Sequence, residues 1–193
     1  MSALRLSRCS ANAPLEFTMK VPPDWSEFIN LLLSHGVRFL IVGAHALAAS
    51  GRPRATLDLD VFVEPTAANA KRLVAALQAF GFPALGDEAK SFAQADRMAT
   101  LGREPLRIDV MTSITGVSFR EAWKGRLVAH FGAHEVPFLG LAELVKNKLA
   151  SGRLKDQLDV ELLREAGLMP QVRSRTKPTR KQGSATIPRR RVK

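Results

Sequence analysis

Residues 57–63 read Leu57-Asp58-Leu59-Asp60-Val61-Phe62-Val63, a run of strand length in which acidic and apolar residues alternate. Strand side chains point alternately to two faces, so Asp58 and Asp60 share one side, roughly 7 Å apart at about 3.3 Å rise per residue. Leu57, Leu59 and Val61 take the opposite side and are expected to fill a core. Two carboxylates on a packed strand repel each other and resist burial. A divalent cation relieves that repulsion, and hard oxygen donors favour Mg²⁺ or Mn²⁺. The plain solvent face of an antiparallel strand shows the same alternation, so the neighbouring segments must decide between the two readings.

Further along, Arg107-Ile108-Asp109-Val110 repeats the arrangement, with Ile108 and Val110 inward and Asp109 outward. Three carboxylates from two neighbouring strands would hold two cations about 3.5–4 Å apart, the arrangement used for phosphoryl and nucleotidyl transfer. Upstream, Val42-Gly43-Ala44 stands where an apolar run, Arg38–Val42, gives way to a helix of small residues. A glycine at such a junction lets the backbone come close to a ligand, and free N–H groups at a helix start bind phosphate. An ordinary turn glycine has the same appearance.

The rest of the chain alternates helices and strands. Pro22-Pro23-Asp24 opens a helix running to about His35, with Gly36 as its stop. A second helix follows Gly43 and ends at Gly51 and Pro53, and Thr66–Phe80 is amphipathic. Segment 82–105 shows no clear period. Strands are expected over Leu106–Met111 and, more weakly, around Leu127–Phe131 and Glu135–Phe138. A helical pair, Leu141–Ser151 and Lys155–Ala166, hinges at Gly152. The expected fold class is mixed α/β (α+β): a small mixed-sheet core over 21–170 with a C-terminal helical pair.

The 193 residues are 46% hydrophobic, enough for one domain with a real core. A single cysteine, Cys9, excludes an intrachain disulfide. The longest apolar run, Phe39–Ala49, is too short for a membrane span and is broken by Gly43 and His45. A cytoplasmic protein with no membrane partner is the expectation. The net charge of +11 is uneven, because nine of the 29 basic residues and no acid lie in 171–193. The remaining 20 basic residues face 18 acidic ones, so the body carries only +2. That tail is rich in Pro, Ser and Thr without apolar periodicity and reads as disordered. Residues 1–20, low in acid, read as a flexible N-terminus. Nucleic-acid contact through the tail would be sequence-independent and weakened by salt.

Taken together, Gly43-Ala44, then Asp58-Leu59-Asp60 thirteen residues on, then Asp109, resemble the signature of the DNA polymerase β-type nucleotidyltransferase superfamily. Arg54-Ala-Thr56-Leu-Asp58-Leu-Asp60 and Lys148-Leu-Ala-Ser-Gly-Arg-Leu-Lys-Asp156 look closer still to small bacterial AbiEii-like nucleotidyltransferases. The resemblance spans about 38–166 and departs at Ala44, where the family usually has Ser or Gly. It implies transfer of a nucleoside monophosphate from an NTP to a hydroxyl of an RNA, tRNA included, or of a partner protein, in a toxin–antitoxin setting. It implies Asp58, Asp60 and Asp109 as catalytic metal ligands. Gly43, Ala44, Arg54, Thr56, Lys148 and Asp156 would be nucleotide-binding. The alternative is an inactive fold of this class that binds nucleic acid or a partner protein.

Two residues have independent readings. Lys148 falls on the apolar stripe of its helix with Leu141, Leu144, Val145 and Leu149, so it needs an anionic partner or a route to water. Asp156, on the side of Val160 and Leu163, is a candidate partner for Lys148 or Arg54. His45 is two residues beyond Gly43, within reach of a nucleotide. The spacing of His130, His134, His45 and Cys9 matches no compact zinc set, and no P-loop is present.

Overall fold

The structure, a computed structural model, describes residues 21–82 and 88–170. The expected flexible N-terminus and disordered basic tail lie outside the described residues. Among the described residues six strands form one mixed sheet, together with six α-helices and a short 3-10 helix (Glu88–Ala93).

The sheet is built around the most apolar segments. Strand β1 (Phe39–Ile41) is buried at every residue, so it is covered on both faces. It pairs antiparallel with β2 (Asp58–Val63) and parallel with β6 (His134–Phe138). Strand β2 also pairs parallel with β4 (Arg107–Met111), which carries β3 (Met98–Leu101) antiparallel on its outer edge. Strand β5 (Leu127–Phe131) closes the other edge against β6, giving the order β3-β4-β2-β1-β6-β5.

Local chemistry sets the helix ends. Helix α1 (Pro23–Ser34) begins with proline at its first position, where no N–H is needed. Helix α2 (Gly43–Ala49) starts directly off β1. Helix α3 (Ala67–Ala79) is capped by Thr66, whose hydroxyl accepts from the Asn69 N–H at 3.3 Å. Asn69 itself is buried and fully used: its Oδ1 accepts from the Arg38 N–H, and its Nδ2 donates to the carbonyls of Arg38 and Glu64. It thereby ties the start of β1 to the end of β2. Helix α4 (Phe119–Gly125) is capped by Ser118. Helix α5 (Leu141–Ser151) ends at Gly152, which takes the left-handed conformation (φ 67°) that lets α6 (Leu154–Glu165) fold back.

Helix α1 packs on α3 and β6, while α2 packs on β2, β6 and α5. The largest fully buried side chains, Phe28, Phe39, Phe62, Phe131 and Phe138, join these layers into one core.

Two expectations need correction. Leu57 lies before β2 rather than in it and is exposed, because β2 begins at Asp58. Leu149 is also exposed, since the buried stripe of α5 is centred on Leu144, Val145 and Lys148. The segment without a clear period holds both the 3-10 helix and β3, an edge strand too short and too exposed to show an alternating pattern. Helix α4, a short helix of about two turns between strands, gave no pattern either.

Candidate functional site

The parallel pairing of β2 and β4 assembles the carboxylates. Asp60 stands directly opposite Asp109, and Asp58 directly opposite Arg107. Register partners on neighbouring strands share a face, so all four side chains point to one side of the sheet. They form part of an open cleft of about 870 Å³, within the size range of small-molecule sites. Across the cleft stand residues of the loop before β2 and of α5 and α6, among them Arg54, Lys148, Arg153 and Lys155. The acidic strands thus share the cleft with the exposed cations Arg153 and Lys155 at the start of α6.

Each aspartate has a different environment. The Asp109 side chain is almost fully buried, and its Oδ1 accepts from the Thr100 hydroxyl on β3 at 2.7 Å. Its Oδ2 lies 3.3 Å from Arg107 Nε. The Asp58 Oδ2 accepts from Arg107 Nη2 at 2.7 Å, while its Oδ1 is buried with no hydrogen-bond partner. Among the described residues Asp60 has no ion-pair partner. Burial, then the charges of Asp109 and Asp58, raise its carboxyl to about 6, against the weaker pull of Lys155 and Arg107.

Gly43 brings the backbone against Asp60. It has φ +63°, and a Cβ placed on it would overlap the Asp60 carboxylate, lying only 3.0 Å from Cγ. Any side chain here meets both a disfavoured backbone conformation and a charged neighbour. Gly43→Ala is therefore expected to cost about 2 kcal/mol or more of stability. Urea denaturation measures it, and a loss below about 0.5 kcal/mol would mean that the carboxylate yields freely. Ala44 follows in the cleft wall, itself buried.

Several residues singled out by sequence are held by other protein groups. Thr56 folds onto the backbone of Asp58: its hydroxyl donates to the Asp58 carbonyl at 3.3 Å and accepts from the Asp58 N–H at 3.4 Å. It shapes the entry to β2. Lys148 is buried, and its ammonium donates to Asp156 Oδ1 at 2.9 Å and to Asp159 Oδ2 at 2.6 Å. Asp156 is held further by Ser151 (2.6 Å) and by Arg153 Nε (2.8 Å). Arg54 Nε pairs with Asp159, not with Asp156, at 3.3 Å, leaving its side chain about one-third exposed towards the cleft. Lys148 and Asp156 are thus partners of each other before they are partners of any ligand.

His45 lies in the core rather than in the cleft wall. Its ring meets the Trp25 and Phe131 rings edge-on at 5.3 and 5.2 Å. Burial lowers its pKa to about 4, with Arg54 adding to the effect and the Asp58 backbone opposing it. The hairpin of β5 and β6 brings His130 opposite Glu135 and turns His134 towards Ser26, whose hydroxyl lies 3.1 Å from Nε2.

Sequence reasoning missed Thr100, Arg107, Asp159 and Ser151. Arg107 and Asp159 carried a usable signal. Arg107 precedes Asp109 by the two residues that keep it on the same strand face, and Asp159 follows Asp156 by one helical turn. Thr100 had none, because only strand pairing places it beside Asp109.

Asp58, Asp60 and Asp109 share one face of the sheet, and carboxylate oxygens are the donor type that hard divalent cations take; Asp58 Oδ1 has no hydrogen-bond partner among the described residues, and the Asp60 carboxyl is raised by burial and by its neighbours' charge. As the side chains lie, Arg107 supplies the positive charge. Among the described residues no group of three or more His, Cys, Asp or Glu is arranged to hold a metal ion. Nor is any described helix long and apolar enough to cross a membrane.

No family model matches the chain, and no curated protein matches it in sequence. Among solved structures it is similar to a crystal structure from Thermotoga maritima named a "putative nucleotidyltransferase". The two share 13% identity over 78% of this chain and 97% of that one, with a TM-score of 0.47.

Proposed function

We propose that this protein is a metal-dependent nucleotidyltransferase that moves a nucleoside monophosphate from an NTP to a hydroxyl of an RNA or a protein. The observation that carries this reading is the register of β2 on β4, which sets Asp60 against Asp109 with Asp58 one step away, in a cleft facing basic side chains. Asp58, Asp60 and Asp109 would hold Mg²⁺ or Mn²⁺, which supplies Lewis-acid stabilisation of the triphosphate charge. Gly43 and Ala44 offer backbone, and Arg54 and Lys155 offer positive charge, where phosphates would lie. Lys148 and Asp156 would act by holding that wall in place. Asp109, steadied by Thr100, accepts or directs the proton of the acceptor hydroxyl. The acceptor oxygen bonds to the α-phosphorus as the bond to the pyrophosphate oxygen breaks. The AbiEii-type resemblance points to tRNA as the first acceptor to try, and to a toxin–antitoxin setting.

The ion pairs of Arg107 with Asp58 and Asp109 favour a second reading, an inactive fold of this class used for binding. Calorimetric titration with ATP, GTP, CTP and UTP, with and without Mg²⁺, separates the two. The catalytic reading expects at least one NTP to bind only with the metal, and Asp58→Ala to abolish that binding while folding normally. Affinity unchanged in Asp58→Ala would sink the metal assignment.

A further inference from the structure

We infer that Arg107 is a built-in counter-ion of the aspartate cluster, which a divalent cation must displace before Asp58 and Asp109 can bind it. The inference rests on the metal-site reading above and adds to it a residue that sets metal affinity. Arg107 is the first residue of β4 and stands across from Asp58 in the strand register. Its guanidinium reaches three carboxylates: Nη2 to Asp58 Oδ2 at 2.7 Å, Nε to Asp109 Oδ2 at 3.3 Å and Nη1 to Glu104 Oε1 at 3.4 Å. Asp58 thus commits an oxygen to a hydrogen bond from it, whereas Asp109 Oδ2 meets it at ion-pair distance only, the buried Nε having no hydrogen-bond partner among the described residues; the other Asp109 oxygen accepts from Thr100. A divalent cation held by Asp58 and Asp109 would stand beside this like charge, which disfavours its binding.

The arginine also has somewhere to go. About a third of its side chain is exposed, it lines the open cleft, and the more exposed Glu104 already lies at the far side of the guanidinium. Rotation towards Glu104 or an incoming anion would free both aspartates without moving the strand. Glu104 precedes β4, outside the paired segment, so this partner does not depend on the register. In the metal-free protein the guanidinium lowers the repulsion among Asp58, Asp60 and Asp109. A cation held by Asp58, Asp60 and Asp109 would supply that positive charge in its place.

The test is Mn²⁺ binding without nucleotide, followed by the electron paramagnetic resonance signal of free Mn²⁺. It compares wild type, Arg107→Gln, Arg107→Met and the double variant Arg107→Gln/Asp60→Asn. The two single variants are neutral and of similar reach, so one can stand in if the other folds poorly; thermal melting monitors both. The expected result is Mn²⁺ affinity at least about tenfold higher in both single variants, with the gain lost in the double variant. Added Mn²⁺ should also raise the melting temperature more in the single variants than in wild type. Equal, Asp60-dependent affinity in wild type and the single variants would overturn the counter-ion role and leave the metal site standing. No Asp60-dependent binding in any protein would overturn both.

Discussion

Replacing Lys148 by alanine is expected to remove about 3–5 kcal/mol of folding stability at neutral pH. The ammonium is buried between Asp156 and Asp159, whose side chains are also buried. Truncation leaves two carboxylates desolvated with only partial compensation. Asp156 keeps Ser151 and the exposed Arg153, and Asp159 keeps Arg54 at 3.3 Å. Against a typical total of about 5–15 kcal/mol, a loss of this size would leave the fold marginal. Urea denaturation at pH 7 measures it, and a loss below about 1 kcal/mol would show that the network is not what secures α5 to α6. The sign of the pH dependence gives a second check. Burial pushes the Asp156 carboxyl up, but hydrogen bonds from Ser151 and Lys148 and the charges of Lys148 and Arg153 outweigh it, holding the carboxyl at about 2. A lowered carboxyl stabilises the native state above its ordinary value near 3.8 and loses that contribution as the pH falls towards 2. Without Lys148 the same group is protonated at a higher pH. The deficit of Lys148→Ala should therefore be full at pH 7 and smaller at pH 4. The triple variant Lys148→Met/Asp156→Asn/Asp159→Asn should recover much of the loss, because no buried charge is left alone.

Asp60→Asn should act in two opposite ways. It should make the metal-free protein more stable, by about 1–3 kcal/mol above pH 6, while abolishing metal-dependent nucleotide binding. Of the three clustered aspartates Asp60 is the one without an ion pair among the described residues, and its carboxyl is raised from 3.8 to about 6 by burial and by its two acidic neighbours. A raised carboxyl contributes its full stability below pH 3.8 and loses it as the pH rises through 6. The advantage of the asparagine should thus be near zero at pH 4 and fully developed at pH 7. His45 contributes the opposite slope in both proteins. Its pKa, lowered from 6.5 to about 4, makes stability fall as the pH drops through that range, so it cancels in the comparison. Urea denaturation in chelator at the two pH values measures the difference. Equal stability of the two proteins at pH 7 would mean that Asp60 is not under the strain its surroundings imply. Gain of stability with loss of binding is the pattern of a functional charge cluster, in which the fold carries a repulsion that a ligand relieves.

The sequence was most legible where period and chemistry coincide. Alternation in 57–63 and 106–111 placed Asp58, Asp60 and Asp109 on the outer faces of two strands, and the strands are neighbours as expected. The helical stripe through Leu144 and Val145 marked Lys148 as a cation needing an anionic partner or a route to water, and in the fold Asp156 is the anion it meets. Both inferences use only the direction of a side chain relative to its own backbone, which residue spacing fixes. Leu57 and Leu149 failed at element edges, where one residue more or less of strand or one helical position changes the exposed face.

What the amino-acid order determined by itself was the alternation of strands and helices, the acidic faces and the uneven charge along the chain. Tertiary structure alone decided which charges meet. The parallel register of β2 and β4 sets Asp58 against Arg107 and Asp60 against Asp109 across 49 residues in each case. The fold-back at Gly152 gives Lys148 a second carboxylate, Asp159, which in turn pairs with Arg54 of the loop before β2, 105 residues away in sequence. Local spacing fixes where a side chain points, but ion pairs depend on distances of a few ångströms between segments that only packing brings together.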